Sequence, residues 1–206
     1  MQEQSEAAPI VYVVDDDYDV REGLKALVES VGLRCEIFQS PAQFLRSKRV
    51  DEVSCLILDV IFPDLSGLNF QAQLEQSQIA MPIIFITGYG DIPMTVKAMK
   101  AGAVEFLTKP VREQDLLDAV RVALNRDSVR RREGEKLRDL RTRHAALSPR
   151  EREIMALVCS GLMNKQVAAK MGVSEVTVKV HRHNLMKKLG AKSLAELVRM
   201  ADSLKG

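Results

Sequence analysis

No run of apolar residues in this chain of 206 approaches twenty, so no segment is long enough to cross a bilayer as a helix. The first nine residues, M-Q-E-Q-S-E-A-A-P, lack both a basic start and an apolar stretch, so no secretory signal is expected. Cysteine is scarce: Cys35, Cys55 and Cys159 show no framework spacing, which fits a reducing interior and a cytoplasmic location. What is present is an average hydrophobic fraction of 46%, enough for one large core or two modest ones. The net charge of +2 conceals an asymmetry. Residues 1 to 127 carry 12 Lys/Arg against 20 Asp/Glu, and residues 128 to 206 carry 18 against 8, that is −8 against +10. An acidic module joined to a basic one follows, and the basic half calls for an anionic partner such as nucleic acid.

Short β-branched runs alternate with amphipathic segments through the first 125 residues. Strands are expected at 10–14, 33–38, 55–58, 83–86 and 104–107, and helices near 19–31, 41–48, 67–76, 93–101 and 112–125. Such alternation implies right-handed crossovers and an α/β fold, a five-stranded parallel sheet with helices on both faces, where ligands gather beyond the carboxyl ends of the strands. From 127 to 146 the chain is heavily charged; helix and frayed coil both remain open, with only Gly134 interrupting good helix formers. Beyond Leu147 every segment has helical spacing: 148–160, 165–171, 175–189 and 194–203. Ser148, Pro149 and Glu151 make a capping-box start, Ser174 is a second cap, and Gly161, Gly172 and Gly190 follow helical runs.

Three carboxylates, Asp15, Asp16 and Asp17, end the first strand, and Asp59 ends the third. In a parallel sheet they converge and repel unless a cation joins them; Mg²⁺ (or Mn²⁺) suits a few carboxylates with retained waters. Thr87 and Gly88 end the fourth strand, and Lys109 with Pro110 follows the fifth. A carboxylate can take a phosphoryl group covalently, with a metal and a lysine balancing its oxygens, which makes Asp59 the expected phosphoacceptor. Val60, Ile61 and Phe62 place apolar groups next to it.

These residues resemble the receiver domain of two-component response regulators over residues 9–125: the D15-D16 pair, L58-D59, Pro63-Asp64-x-Ser66-Gly67, T87-G88, A101-G-A103 and Lys109-Pro110. The resemblance implies that Asp15, Asp16, Asp59 and the backbone carbonyl of Ile61 hold the metal. It further implies that Thr87 and Lys109 contact the phosphoryl group, that Phe106 is an aromatic switch, and that the Lys109–Pro110 bond is often cis. Thr87 drawn inward would vacate space for Phe106, and the change would reach the fourth helix and fifth strand, where Val96, Met99, Lys100 and Glu105 form a candidate dimer face.

In the last sixty residues, 164–189 reads as two helices around a Gly172 turn. Val178, Leu185 and Leu189 make the apolar stripe of the second helix, leaving Lys179, Arg182, His183 and Lys187 on a basic face that can lie in a major groove. Residues 147–202 resemble the LuxR-type helix-turn-helix through L147-S-P-R-E-x-E-I-M, N164-K-x-V-A and V176-T-V-K-V-H181, which with the receiver identifies the chain as similar to the NarL/FixJ family. The resemblance places Lys179, Val180 and His183 at base edges and Lys165, Ser174, Thr177 and Lys187 at phosphates; at His183 the family often has lysine. His181 and His183 splay apart on a helix, so no zinc site is assigned. Leu194, Leu197, Val198 and Ala201 of the last helix pair DNA-binding domains or close the core.

The implied organisation is a receiver at 9–125, a charged linker at 126–146 and a four-helix DNA-binding domain at 147–206. The implied partners are double-stranded DNA, a sensor histidine kinase, RNA polymerase and, on phosphorylation, a second copy, with no membrane. A phosphatase of the D-x-D type is disfavoured because D59-V-I lacks the second acid, and no enzyme is expected. A DNA binder indifferent to phosphorylation is the remaining alternative, against which the complete Asp/Thr/Lys set argues.

Overall fold

The computed structural model describes residues 8–63 and 65–205; Asp64 of the Pro63–Gly67 motif and most of the N-terminal stretch from which no secretory signal is expected lie outside them. The chain divides into two compact units, one through Arg131 and one from Arg132. Among the described residues no helix is long and apolar enough to cross a membrane.

The first unit alternates strand and helix: β1 (Ile10–Val14), α1 (Tyr18–Ser30), β2 (Arg34–Phe38), α2 (Pro41–Arg46), β3 (Ser54–Asp59), α3 (Gly67–Gln76), β4 (Ile83–Thr87), α4 (Ile92–Lys100), β5 (Glu105–Thr108) and α5 (Glu113–Ala145). The sheet order is β2-β1-β3-β4-β5 with every pair parallel. β1, β3 and β4 are buried along their whole lengths, which is why they read as unbroken apolar runs. Their side chains alternate between two cores. Tyr12, Leu56, Leu58 and Phe85 meet Phe44 of α2, Phe70 and Leu74 of α3 and Ala98 of α4. Val11, Val13, Ile57, Ile84 and Ile86 meet Leu24 and Val28 of α1 and Leu116, Val120 and Ala123 of α5. Each such large apolar side chain contributes roughly 1.5–3 kcal/mol by leaving water.

The charged stretch after 125, for which the sequence leaves helix and coil open, is helical: α5 runs unbroken to Ala145. Gly134 costs the helix about 1 kcal/mol relative to alanine, less than the helix formers around it return.

The second unit packs α6 (Pro149–Cys159), α7 (Asn164–Met171), α8 (Glu175–Leu189) and α9 (Leu194–Ser203) around Leu147, Ile154, Val158, Val167, Val178, Leu185, Leu189 and Leu197, with Leu140 from the end of α5 against them. The Ser148 hydroxyl accepts the Glu151 N–H at 3.2 Å while the Glu151 carboxylate accepts the Ser148 N–H at 2.7 Å, the reciprocal cap expected there. Ser174 accepts the Thr177 N–H at 3.1 Å. Gly172, at φ 67°, supplies the left-handed residue that ends α7 and turns the chain into α8.

Candidate functional site

β1 and β3 are neighbours in space, whereas the connections leaving them run to opposite sides of the sheet, so a crevice opens beyond their carboxyl ends. Three acids occupy it. Asp15, fully buried, accepts the Asp17 N–H at 2.9 Å and the Lys109 ammonium at 2.7 Å. Asp59 accepts the Ile61 N–H at 3.1 Å and, through its other oxygen, the same ammonium at 2.8 Å. Exposed Asp16 completes a set in which one carboxylate oxygen from each acid lies within 4.8 Å of the others. The end of β5 delivers Lys109: its N–H donates to the Thr87 carbonyl at 2.8 Å, and its bond to Pro110 is cis.

Burial pushes the Asp15 carboxyl above its ordinary range despite the pull of Lys109, and the nearby Asp59 charge adds to the rise. Burial pulls the Lys109 ammonium the other way, but its hydrogen bonds to Asp15 and Asp59 outweigh that, so it is held charged. One ammonium facing three carboxylates leaves an uncompensated negative charge among hard oxygen donors, a set that fits a hard divalent cation.

Asp17 stands apart from this cluster: its carboxylate caps α1, accepting the Asp19 and Val20 N–H groups. Arg21, buried on α1 and not singled out in the sequence, donates to the Asp15 carbonyl at 2.6 Å and fixes the acidic loop. Of the apolar trio after Asp59, only Ile61 is exposed; Val60 and Phe62 turn into the core, correcting the expectation that all three line the acid. Gly67 is required by contact, since a Cβ there would sit 2.3 Å from the Asp59 carbonyl oxygen. Thr87 is buried, and its hydroxyl accepts the Tyr89 N–H at 3.2 Å. Phe106 is half-buried, its ring 6.2 Å from that of Phe85, and a Cβ on Gly90 would approach it to 3.1 Å.

On the α4–β5 side, Val96 and Met99 are 45% and 41% exposed, beside exposed Lys100 and Glu105. Ile92, 81% exposed, extends this apolar strip one turn towards the start of α4, and Tyr89, in the loop before it, is exposed to the same degree; neither was singled out in the sequence.

In the second unit Lys165, Ser174, Lys179, Val180, His183 and Lys187 are exposed, and Thr177 is half-buried with its hydroxyl 2.8 Å from that of Ser174. Lys179 pairs with Glu175 one turn before it at 3.2 Å. Arg182 departs from the expected exposed face. It lies one turn beyond buried Val178, at the margin of the apolar stripe, and donates to Asn164 at 3.0 Å, tying α8 to α7. Lys188, itself exposed, reaches the buried Glu151 carboxylate at 2.8 Å. On α9, Leu197 closes the core with Ala201 against it, while Leu194 is exposed.

Comparison with known proteins adds independent findings. Residues 11–121 match the family model described as response regulator receiver domain, and residues 145–201 match that of bacterial regulatory proteins, luxR family. Nodulation protein W of Bradyrhizobium diazoefficiens is 53% identical over 195 residues, covering 95% of this chain and 86% of that protein. The response regulator protein TodT of Pseudomonas putida is 45% identical over 205 residues, covering 100% and 90%. Among solved structures, the response regulator StyR shares 48% identity at a TM-score of 0.83, over 95% of this chain and 99% of that one.

Proposed function

The chain belongs to the two-component response regulators that join a receiver domain to a LuxR-family DNA-binding domain, transcription regulators rather than enzymes, and within that family we propose that Asp59 is its phosphoacceptor. The observation that carries this reading is the Lys109 ammonium held between Asp15 and Asp59 at 2.7 and 2.8 Å, with Asp16 completing the acidic set.

Mg²⁺, or Mn²⁺, would be held by Asp15, Asp16, Asp59 and the Ile61 carbonyl, and when bound it offsets charge on the phosphoryl oxygens. The Asp59 carboxylate oxygen that Lys109 releases attacks phosphorus on a phosphohistidine of the sensor kinase. The O–P bond forms as the P–N bond breaks, and the electron pair leaves on the imidazole nitrogen. Lys109 moves from the carboxylate to a phosphoryl oxygen, and Thr87 exchanges its Tyr89 partner for another. The Thr87 movement frees space beside Gly90 into which the Phe106 ring turns.

The output is dimerisation through Val96, Met99, Lys100 and Glu105, which brings two DNA-binding domains to a two-fold site at high effective concentration. α8 enters the major groove with Lys179, Val180 and His183 at base edges, while Lys165, Ser174, Thr177 and Lys187 hold phosphates; bound there, the dimer is placed to meet RNA polymerase. The functional division is a receiver at 9–125, a helical linker at 126–146 and a DNA-binding domain at 147–206, and the reading requires the cytoplasm, where kinase domain and chromosome are both accessible.

Acetyl phosphate with Mg²⁺ tests the phosphoacceptor directly. The native chain is expected to gain the mass of one phosphoryl group and Asp59→Asn to gain none. A retained mass gain in the variant overturns the assignment.

A further inference from the structure

The exposed face of α8 is not simply basic. Val176, Lys179, Val180 and His183 recur at intervals of three and four, so they share one side of the helix, and Val176 and Val180 are 69% and 53% exposed. A β-branched residue loses rotamer freedom in a helix, and an exposed one recovers nothing by burial. Val176 is the second residue of α8, in the turn that in a groove-entering helix meets base edges. The unit that carries it is cationic, residues 128 to 206 having 18 Lys/Arg against 8 Asp/Glu, and Lys179, paired with Glu175 at 3.2 Å, lies one turn on. A polyanion that also offers an apolar point matches this face, and in the major groove the one such point is the 5-methyl group of thymine.

We infer that Val176 is a specificity-determining residue that packs against a thymine methyl in the cognate site. The inference rests on α8 being the groove helix and adds a residue that the basic-face reading omits. Arg182, which that reading includes, is turned away to Asn164. Removing one methyl contact is worth about a fourfold change in affinity.

The test uses the full chain and a site selected from random duplex DNA. Thymines are replaced one at a time by deoxyuridine, which lacks only the methyl, and dissociation constants are measured for the native chain, Val176→Ala and Lys179→Ala. One thymine in each half-site is expected at which deoxyuridine weakens native binding about fourfold but leaves Val176→Ala unaffected, that variant being already weakened about fourfold in each of the two half-sites. Alanine is the better helix former, so an unfolded variant is not expected. If Lys179→Ala weakens binding while the Val176→Ala and deoxyuridine losses add at every thymine, or Val176→Ala changes nothing, the inference fails and the groove reading stands. If Lys179→Ala leaves affinity unchanged, α8 is outside the groove and both fall.

Discussion

At the scale of single residues, the acidic crevice is held in a state that favours cation capture. Asp15 carries a raised proton affinity because it is buried, and its one ammonium is shared with Asp59. Neutralising exposed Asp16 should therefore stabilise the metal-free protein, on the order of 1 kcal/mol, by removing like-charge repulsion. Asp16→Asn is expected to raise the urea midpoint in EDTA and to lose the further rise that MgCl₂ gives the native chain; an unchanged Mg²⁺ response would remove Asp16 from the ligand set. The main cluster was legible because Asp15, Asp59 and Lys109 sit at strand ends, and a parallel sheet carries strand ends to one edge. Asp17 was not separable from its neighbours, since capping and coordination use the same carboxylate and only backbone direction distinguishes them. The Arg182 contact with Asn164 was not legible for a similar reason. Periodicity places a residue within a turn, but the partner that decides Arg182 lies 18 positions away.

Among the elements, two buried carboxylates hold helices in place. Asp127 of α5, fully buried, accepts the Ser54 N–H at the start of β3 at 3.0 Å together with the guanidinium groups of Arg130 and Arg131, the latter also paired with Asp51. Asp127→Ala strands that N–H and is expected to lower receiver stability by about 3 kcal/mol in urea unfolding. Glu151 joins the α6 cap to Lys188 of α8, and the Lys188 hydrogen bond, with the Ser148 N–H, holds its carboxyl below the ordinary 4.5. A depressed folded value adds stability above the unfolded one and loses it as pH falls. Helical signal from the second unit is therefore expected to weaken on acidification below about 4.5, and Glu151→Gln, less stable at neutral pH, should show a flatter fall. The helices themselves were readable from caps and spacing. α5 was not, because a charged stretch with one glycine satisfies helix and coil about equally until packing at both ends decides.

For the whole molecule the division of charge sets how the chain meets DNA. In the proposed reading, phosphorylation turns the Asp59 carboxylate into an acyl phosphate of about −2, adding about one negative charge to the half that is already acidic. In the proposed interface the basic half supplies the phosphate contacts, exposed Lys165 among them. Lys165→Ala should weaken binding evenly across sequences and flatten the plot of log K against log salt by about one unit for each subunit bound. A lost sequence preference with an unchanged slope would place Lys165 at a base instead.

Arg143, in the last turn of α5, donates at 3.3 Å to the Leu189 carbonyl where α8 ends, and Gly190 has no side chain to obstruct it: a Cβ there would lie 2.9 Å from the guanidinium. Leu140, one turn earlier, contributes to the same small core. A fragment cut at Leu147, where sequence alone begins the DNA-binding domain, leaves both behind and uncovers the end of α8. The portable form of this DNA reader starts upstream, inside what composition calls a tether.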